Sequence, residues 1–90
     1  MKRVRAVFRG RVQGVFFRAH TKAFADEAGV AGWVRNRPDG SVEALFEGEE
    51  RSVDGVIHRC RVNQPHAFVE EVELTLETAR ADLKGFEVRR

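Results

Sequence analysis

With 90 residues, 42% of them hydrophobic and 33% charged, the chain has the composition of one globular unit, neither disordered nor long enough to divide into several domains. Its apolar runs are only a few residues long and Met1-Lys2-Arg3 leads into alternation, which excludes a membrane-spanning helix and predicts neither a membrane partner nor a secretory leader. Sixteen Lys and Arg against fourteen Asp and Glu give a net charge of +2, too balanced to argue for nucleic acid, and the single Cys60 excludes an internal disulfide and points to a reducing cytoplasm.

The first strand is read from Val4, Ala6 and Phe8, which alternate with Arg3, Arg5 and Arg9. Residues 10–17 follow as a glycine-bearing loop. Phe17, Thr21, Phe24 and Ala28 recur at helical spacing with Ala25 beside them, and Gly29 is a natural stop. Trp33, Val34 and Arg35 open a second strand that reaches Asn36. Arg37-Pro38-Asp39-Gly40 reads as a hairpin turn, because Pro presets φ and Gly accepts the left-handed position. Val42, Ala44 and Phe46 alternate on the returning strand until Gly48.

Val53, Val56, Ile57 and Cys60 share one face of a second helix, which makes Cys60 a buried structural thiol. Val72, Leu74 and Leu76 alternate with Glu71, Glu73 and Thr75 on a fourth strand, and the adjacent Glu70-Glu71 marks a bulge. A short last strand carries Phe86 and Val88. The order β-α-β-β-α-β plus a short C-terminal strand predicts an α+β fold, a ferredoxin-like two-layer sandwich. Its antiparallel sheet carries both helices on one face, and each strand turns one apolar face to them. Phe8, Phe24, Trp33 and Phe46 are expected in the core. That architecture hosts many functions and decides none.

Charge is unevenly spread. Residues 1–40 hold nine Lys/Arg and three Asp/Glu, whereas Glu43 to Glu50 spans four acids and no base. A positive N-terminal half suits an anionic ligand, and equally well describes solvated faces. Within it, Gly10-Arg11-Val12-Gln13-Gly14-Val15-Phe16-Phe17-Arg18 joins a strand to a helix. Consecutive N–H groups at a helix start make an anion cradle, and Arg18 adds a planar fork for two phosphate oxygens. The Gly-Lys-Ser/Thr ending of a nucleotide-triphosphate loop is missing. Read blandly, the glycines serve a tight connection and Arg18 a helix surface. Asn36 can donate and accept at once, which suits orienting a water, although an Asn beside a turn also serves its own backbone.

Together with Gly32-Trp33-Val34-Arg35-Asn36, Asp39-Gly40-Ser41-Val42-Glu43-Ala44 and Gly48, this loop resembles the paired signatures of the acylphosphatase family. The likeness runs from Val4 to Gly85-Phe86-Glu87-Val88-Arg89, so residues 1–90 are expected to form one free-standing domain. The chain departs from the family at Val62-Asn63-Gln64-Pro65, where many relatives carry Gly-Pro, which bears on a loop shape.

The resemblance implies a hydrolase that converts acyl phosphates to a carboxylate and inorganic phosphate. It makes Arg18 the phosphate-binding arginine, Asn36 the water-positioning residue, and Gln13, Gly14, Val15, Phe16, Phe17 and Arg18 the phosphate-binding loop. It implies no metal or other cofactor, a small-molecule acyl phosphate as substrate, inorganic phosphate as product and competing ligand, and a monomer. The chemistry agrees: a carboxylate leaves without general acid, and phosphoryl transfer through a loose transition state asks little of its nucleophile.

His20, His58 and His66 are not at metal-ligand spacing. The competing readings are an RNA-binding module, which needs exposed aromatics on the central strands, and a carrier or maturation module on the same fold. Strand three offers only Phe46, and the length argues against a module of a larger protein.

Overall fold

The computed structural model describes all residues, Met1–Arg90. Seven elements follow in chain order: β1 (Lys2–Arg11), α1 (Phe17–Ala28), β2 (Ala31–Asn36), β3 (Val42–Gly48), α2 (Glu50–Val62), β4 (Phe68–Glu77) and β5 (Phe86–Arg89). The strands form one sheet in the order β4-β1-β3-β2-β5. Its pairs are antiparallel except the last, where β5 runs parallel to β2 with Gly32 opposite Phe86 and Val34 opposite Val88.

Register explains the core. Val4, Ala6 and Phe8 of β1 lie opposite Phe46, Ala44 and Val42 of β3, and Val34 of β2 lies opposite Ala44. Directly opposed residues share a face, so these side chains form one apolar surface. The buried faces of the helices pack on it: Phe17 and Ala25 from α1, and Val53, Val56, Ile57 and Cys60 from α2. The Phe8 and Phe17 rings meet at 5.1 Å, which ties the start of α1 to β1. Phe46 stacks on Phe86 at 5.7 Å, which ties β5 to the centre of the sheet. Gly29 ends α1 in the left-handed region at φ 70°, as a helix C-terminal glycine does.

The fold bears out the sequence reading in outline and departs from it in several places. β1 runs on through Gly10 and Arg11 instead of ending before them. The pairing of β1 with β4 skips Glu70 between Arg9–Glu71 and Gly10–Val69, the bulge expected there. Gly10, at φ 127°, faces that bulge, and a Cβ would run into the Phe68 carbonyl. Its glycine therefore serves a close approach of two strands, not the loop.

Trp33 is buried, but outside the core. It lies on the open face of the sheet beneath the guanidinium groups of Arg5, Arg35 and Arg89, at 5.6, 5.7 and 4.8 Å from its ring centre. Phe24 is only partly buried against the core and carries Arg59 over its ring. Leu74 and Leu76 share the helix-facing side with Ala6 and Val4, yet they are 52% and 73% exposed. β4 is an edge strand, and α2 lies over β1 and β3 without reaching the end of β4.

Candidate active site

β1 ends at Arg11, and the chain needs five residues, Val12 to Phe16, to turn into α1. Gly14 takes φ 74°, and Phe16 takes φ 60°, ψ 24° just before the helix. No side chain caps the helix start. The N–H groups of Gly14, Val15 and Phe16 donate to no protein oxygen. Those of Phe17, Arg18 and Ala19 belong to the first helical turn, which has no acceptor to offer them. The result is a run of free donors at the positive end of a helix, an arrangement suited to an anion.

A cavity of about 330 Å³ opens over this run. Gly14, Phe16, Phe17 and Arg18 line it from the loop and helix, and Asn36 lines it from the end of β2. Val12, Ala19 and Val88 complete the wall. Arg18 is the only charged lining residue, and no carboxylate opposes it there. Its Nη1 donates to the Arg89 carbonyl at 2.9 Å, so one prong of the guanidinium is anchored to β5 while the others stay available.

The side chain of Asn36 makes no hydrogen bond to the protein. The turn it precedes is held by other groups: Asp39 Oδ1 accepts from the Ser41 N–H and hydroxyl at 3.0 and 2.6 Å, Arg37 N donates to the Ser41 carbonyl and Gly40 N to that of Arg37. Asn36 is thereby spared the turn-supporting task, and its amide stays on the cavity wall.

Of the six residues expected in the loop, Gln13 and Val15 do not line the cavity. The Gln13 amide donates to the carbonyls of Arg37 and Ser41, both at 2.8 Å, and so ties the loop to the β2–β3 hairpin that presents Asn36. Val15 packs against the core. These two residues shape the cradle from behind.

The sequence reading missed Val88, Arg89 and Gln64. Gln64 Nε2 donates to the Phe17 carbonyl at 3.2 Å and to Thr21 Oγ1 at 3.1 Å, pinning the first turn of α1 from the α2–β4 connection. Its place in a segment that departs from the family pattern was the available signal. His20 is half-buried, its Nδ1 has no partner, and it lies outside the cavity. Cys60 is buried as expected; burial pushes its thiol up to about 11, and it donates to Thr21 Oγ1, which makes it unreactive near neutrality. No three His, Cys, Asp or Glu side chains converge into a metal-ligand set.

Comparison with known proteins follows the same lines. A family model described as Acylphosphatase matches residues 4–88. An acylphosphatase of Rubrobacter xylanophilus is 56% identical over 88 residues, 98% of this chain and 80% of that protein. One of Syntrophus aciditrophicus is 47% identical, covering 98% of this chain and 92% of its own. The crystal structure of acylphosphatase from Bacillus subtilis superposes with a TM-score of 0.95 at 33% identity over the full length of both chains.

Proposed function

The chain belongs to the acylphosphatase family and is an enzyme that hydrolyses acyl phosphates, and from that premise we propose that Arg18, the backbone of residues 13–18 and Asn36 carry the reaction. The phosphoryl oxygens take the free N–H groups of the loop and first helical turn, with the unanchored N–H groups of Arg18 across two of them. Asn36 accepts a hydrogen bond from one water and donates another to it, fixing the water's lone pair toward phosphorus. As the water oxygen bonds to phosphorus, the bond from phosphorus to the carboxyl oxygen breaks and its electron pair leaves with the carboxylate. Both water hydrogens end on the product phosphate. A carboxylate is a weak base, so it departs unprotonated.

The observation that carries this reading is the meeting of an anchored guanidinium, a row of unpartnered N–H groups and an unpartnered amide around one cavity. Preorganised donors of this kind act on charge that spreads over the transferring group. The proposal extends to catalysis without metal or cofactor, to a monomer in the cytoplasm, and to no role for nucleic acid. Against base stacking stands Trp33 of β2, which lies on the open sheet face already covered by three arginines.

Phosphate release from a synthetic acyl phosphate, measured after dialysis against a chelator, tests the scheme. The rate should be unchanged by the chelator. Arg18→Ala should lower it by about 10²–10³, and Arg18→Lys should not restore it, because an ammonium keeps the charge without the fork. Recovery only on adding a divalent cation, or near-normal turnover by folded Arg18→Ala, would defeat the scheme.

A further inference from the structure

Phosphate chemistry accounts for the backbone of Phe16 but not for its side chain. A loop that needs only an N–H group at φ 60° would use glycine, which adopts that conformation without strain. Here a phenyl ring sits instead, 74% exposed, on the wall of the cavity and two residues before Arg18. A large apolar side chain in a strained, solvent-facing position at a binding site has a ligand as its natural partner.

The rest of the mouth has the same character. Ala19 and Val88 are exposed and line the cavity with Phe16. The nearby charges are turned away: the Arg89 side chain lies over Trp33 and bonds Glu87, and Arg37 faces Asp39. With the phosphoryl group held by the loop and Arg18, the acyl group is the part of the substrate left to meet these walls. We propose that Phe16, supported by Ala19 and Val88, is the acyl-group platform of this enzyme and selects acyl phosphates with an aromatic or bulky apolar acyl part over small ones. The proposal rests on the reading of the cavity as the phosphoryl site.

The discriminating quantity is the ratio of kcat/KM for benzoyl phosphate to that for acetyl phosphate. Damage to the loop itself strikes both substrates and cancels in the ratio. Phe16→Ala should lower the ratio about tenfold, the size expected when part of an aromatic ring loses its apolar contact. Phe16→Leu should keep most of it, and Val88→Ala should lower it in the same direction by less. The change should lie mainly in KM, since contact with the acyl part is made in ground and transition states alike. An unchanged ratio in Phe16→Ala, whether both rates fall together or neither does, overturns the platform. Failure of the unaltered enzyme to hydrolyse either substrate would instead count against the phosphoryl site itself.

Discussion

Arg18 and Asn36 face one cavity but are held differently, and the difference separates the roles proposed for them. Arg18 is anchored to β5 through the Arg89 carbonyl and, in the proposed scheme, is expected to present a fixed charge to the phosphate in every state of the reaction. Asn36 has no protein partner and is expected to act on the attacking water alone. Asn36→Ala should therefore lower kcat by about 10²-fold while the inhibition constant for inorganic phosphate stays within about twofold, the pattern of a contact used in the transition state. Arg18→Ala should weaken both. Urea unfolding of the same Asn36→Ala sample completes the measurement: a preserved kcat with a lowered midpoint would reduce Asn36 to turn support. That the two would be candidates was legible in the sequence because each lies in a contiguous motif, and the structure brings both to one cavity. Val88 and Arg89 were not, because their part in the site is made by strand pairing with β2, which no local spacing encodes.

Helices and strands were legible from periodicity to within a few residues, but the partner of each face was not. Alternation in β4 shows that Val72, Leu74 and Leu76 share a side; it does not show that the helix layer stops short of the sheet edge. Likewise Trp33 alternates out of the core by one register step from Val34, and reads as buried without saying beneath what. The α2–β4 connection shows the same gap between pattern and contact. Gln64 clamps the first turn of α1, yet its own Oε1 is buried without a partner. Gln64→Ala removes two donors' worth of bonding and leaves a cavity, and should cost about 2 kcal/mol in urea unfolding. Gln64→Leu removes the orphaned oxygen together with the donor and should cost less, under about 1 kcal/mol. Equal losses in the two variants would show that the amide's hydrogen bonds, not the packing of the side chain, make the clamp.

Across the molecule, the face of the sheet opposite the helices is built from charge. Glu43 on the central strand β3 accepts from Arg5 and Arg35 on its two neighbours, each at 2.7–2.8 Å, and Arg5 continues to Glu77 on β4 at 2.7 Å. Arg3 joins Glu77 to Asp82 beyond β4, while Glu47, 1% exposed, accepts from the N–H groups of Arg80 and Ala81 and holds the β4–β5 connection against the sheet. In sequence these charges read as a solvated face; paired across strands, they cover Trp33 and Leu45 in place of a second helix layer. The arrangement has a pH signature. Burial pushes the Glu43 carboxyl up, but the hydrogen bonds and charges of Arg35 and Arg5 outweigh it and hold it below its usual value. The Arg5 hydrogen bond lowers Glu77, and the Arg3 hydrogen bond lowers Asp82. A carboxylate depressed in the folded state binds its proton first in the unfolded chain. It therefore stabilises the fold above the ordinary carboxylate pKa, and the contribution is lost as pH falls through the lower folded value. Unfolding free energy should stay level from pH 7 to about 5 and then fall steadily toward pH 3. Glu43→Gln should cost about 1–2 kcal/mol at pH 7, because Arg5 keeps Glu77 and Arg35 reaches water. It should cost progressively less as pH falls, so that the two curves converge. Urea unfolding at pH 7, 5, 4 and 3 on both proteins measures this directly, and parallel curves would remove Glu43 from the set of groups that set acid stability.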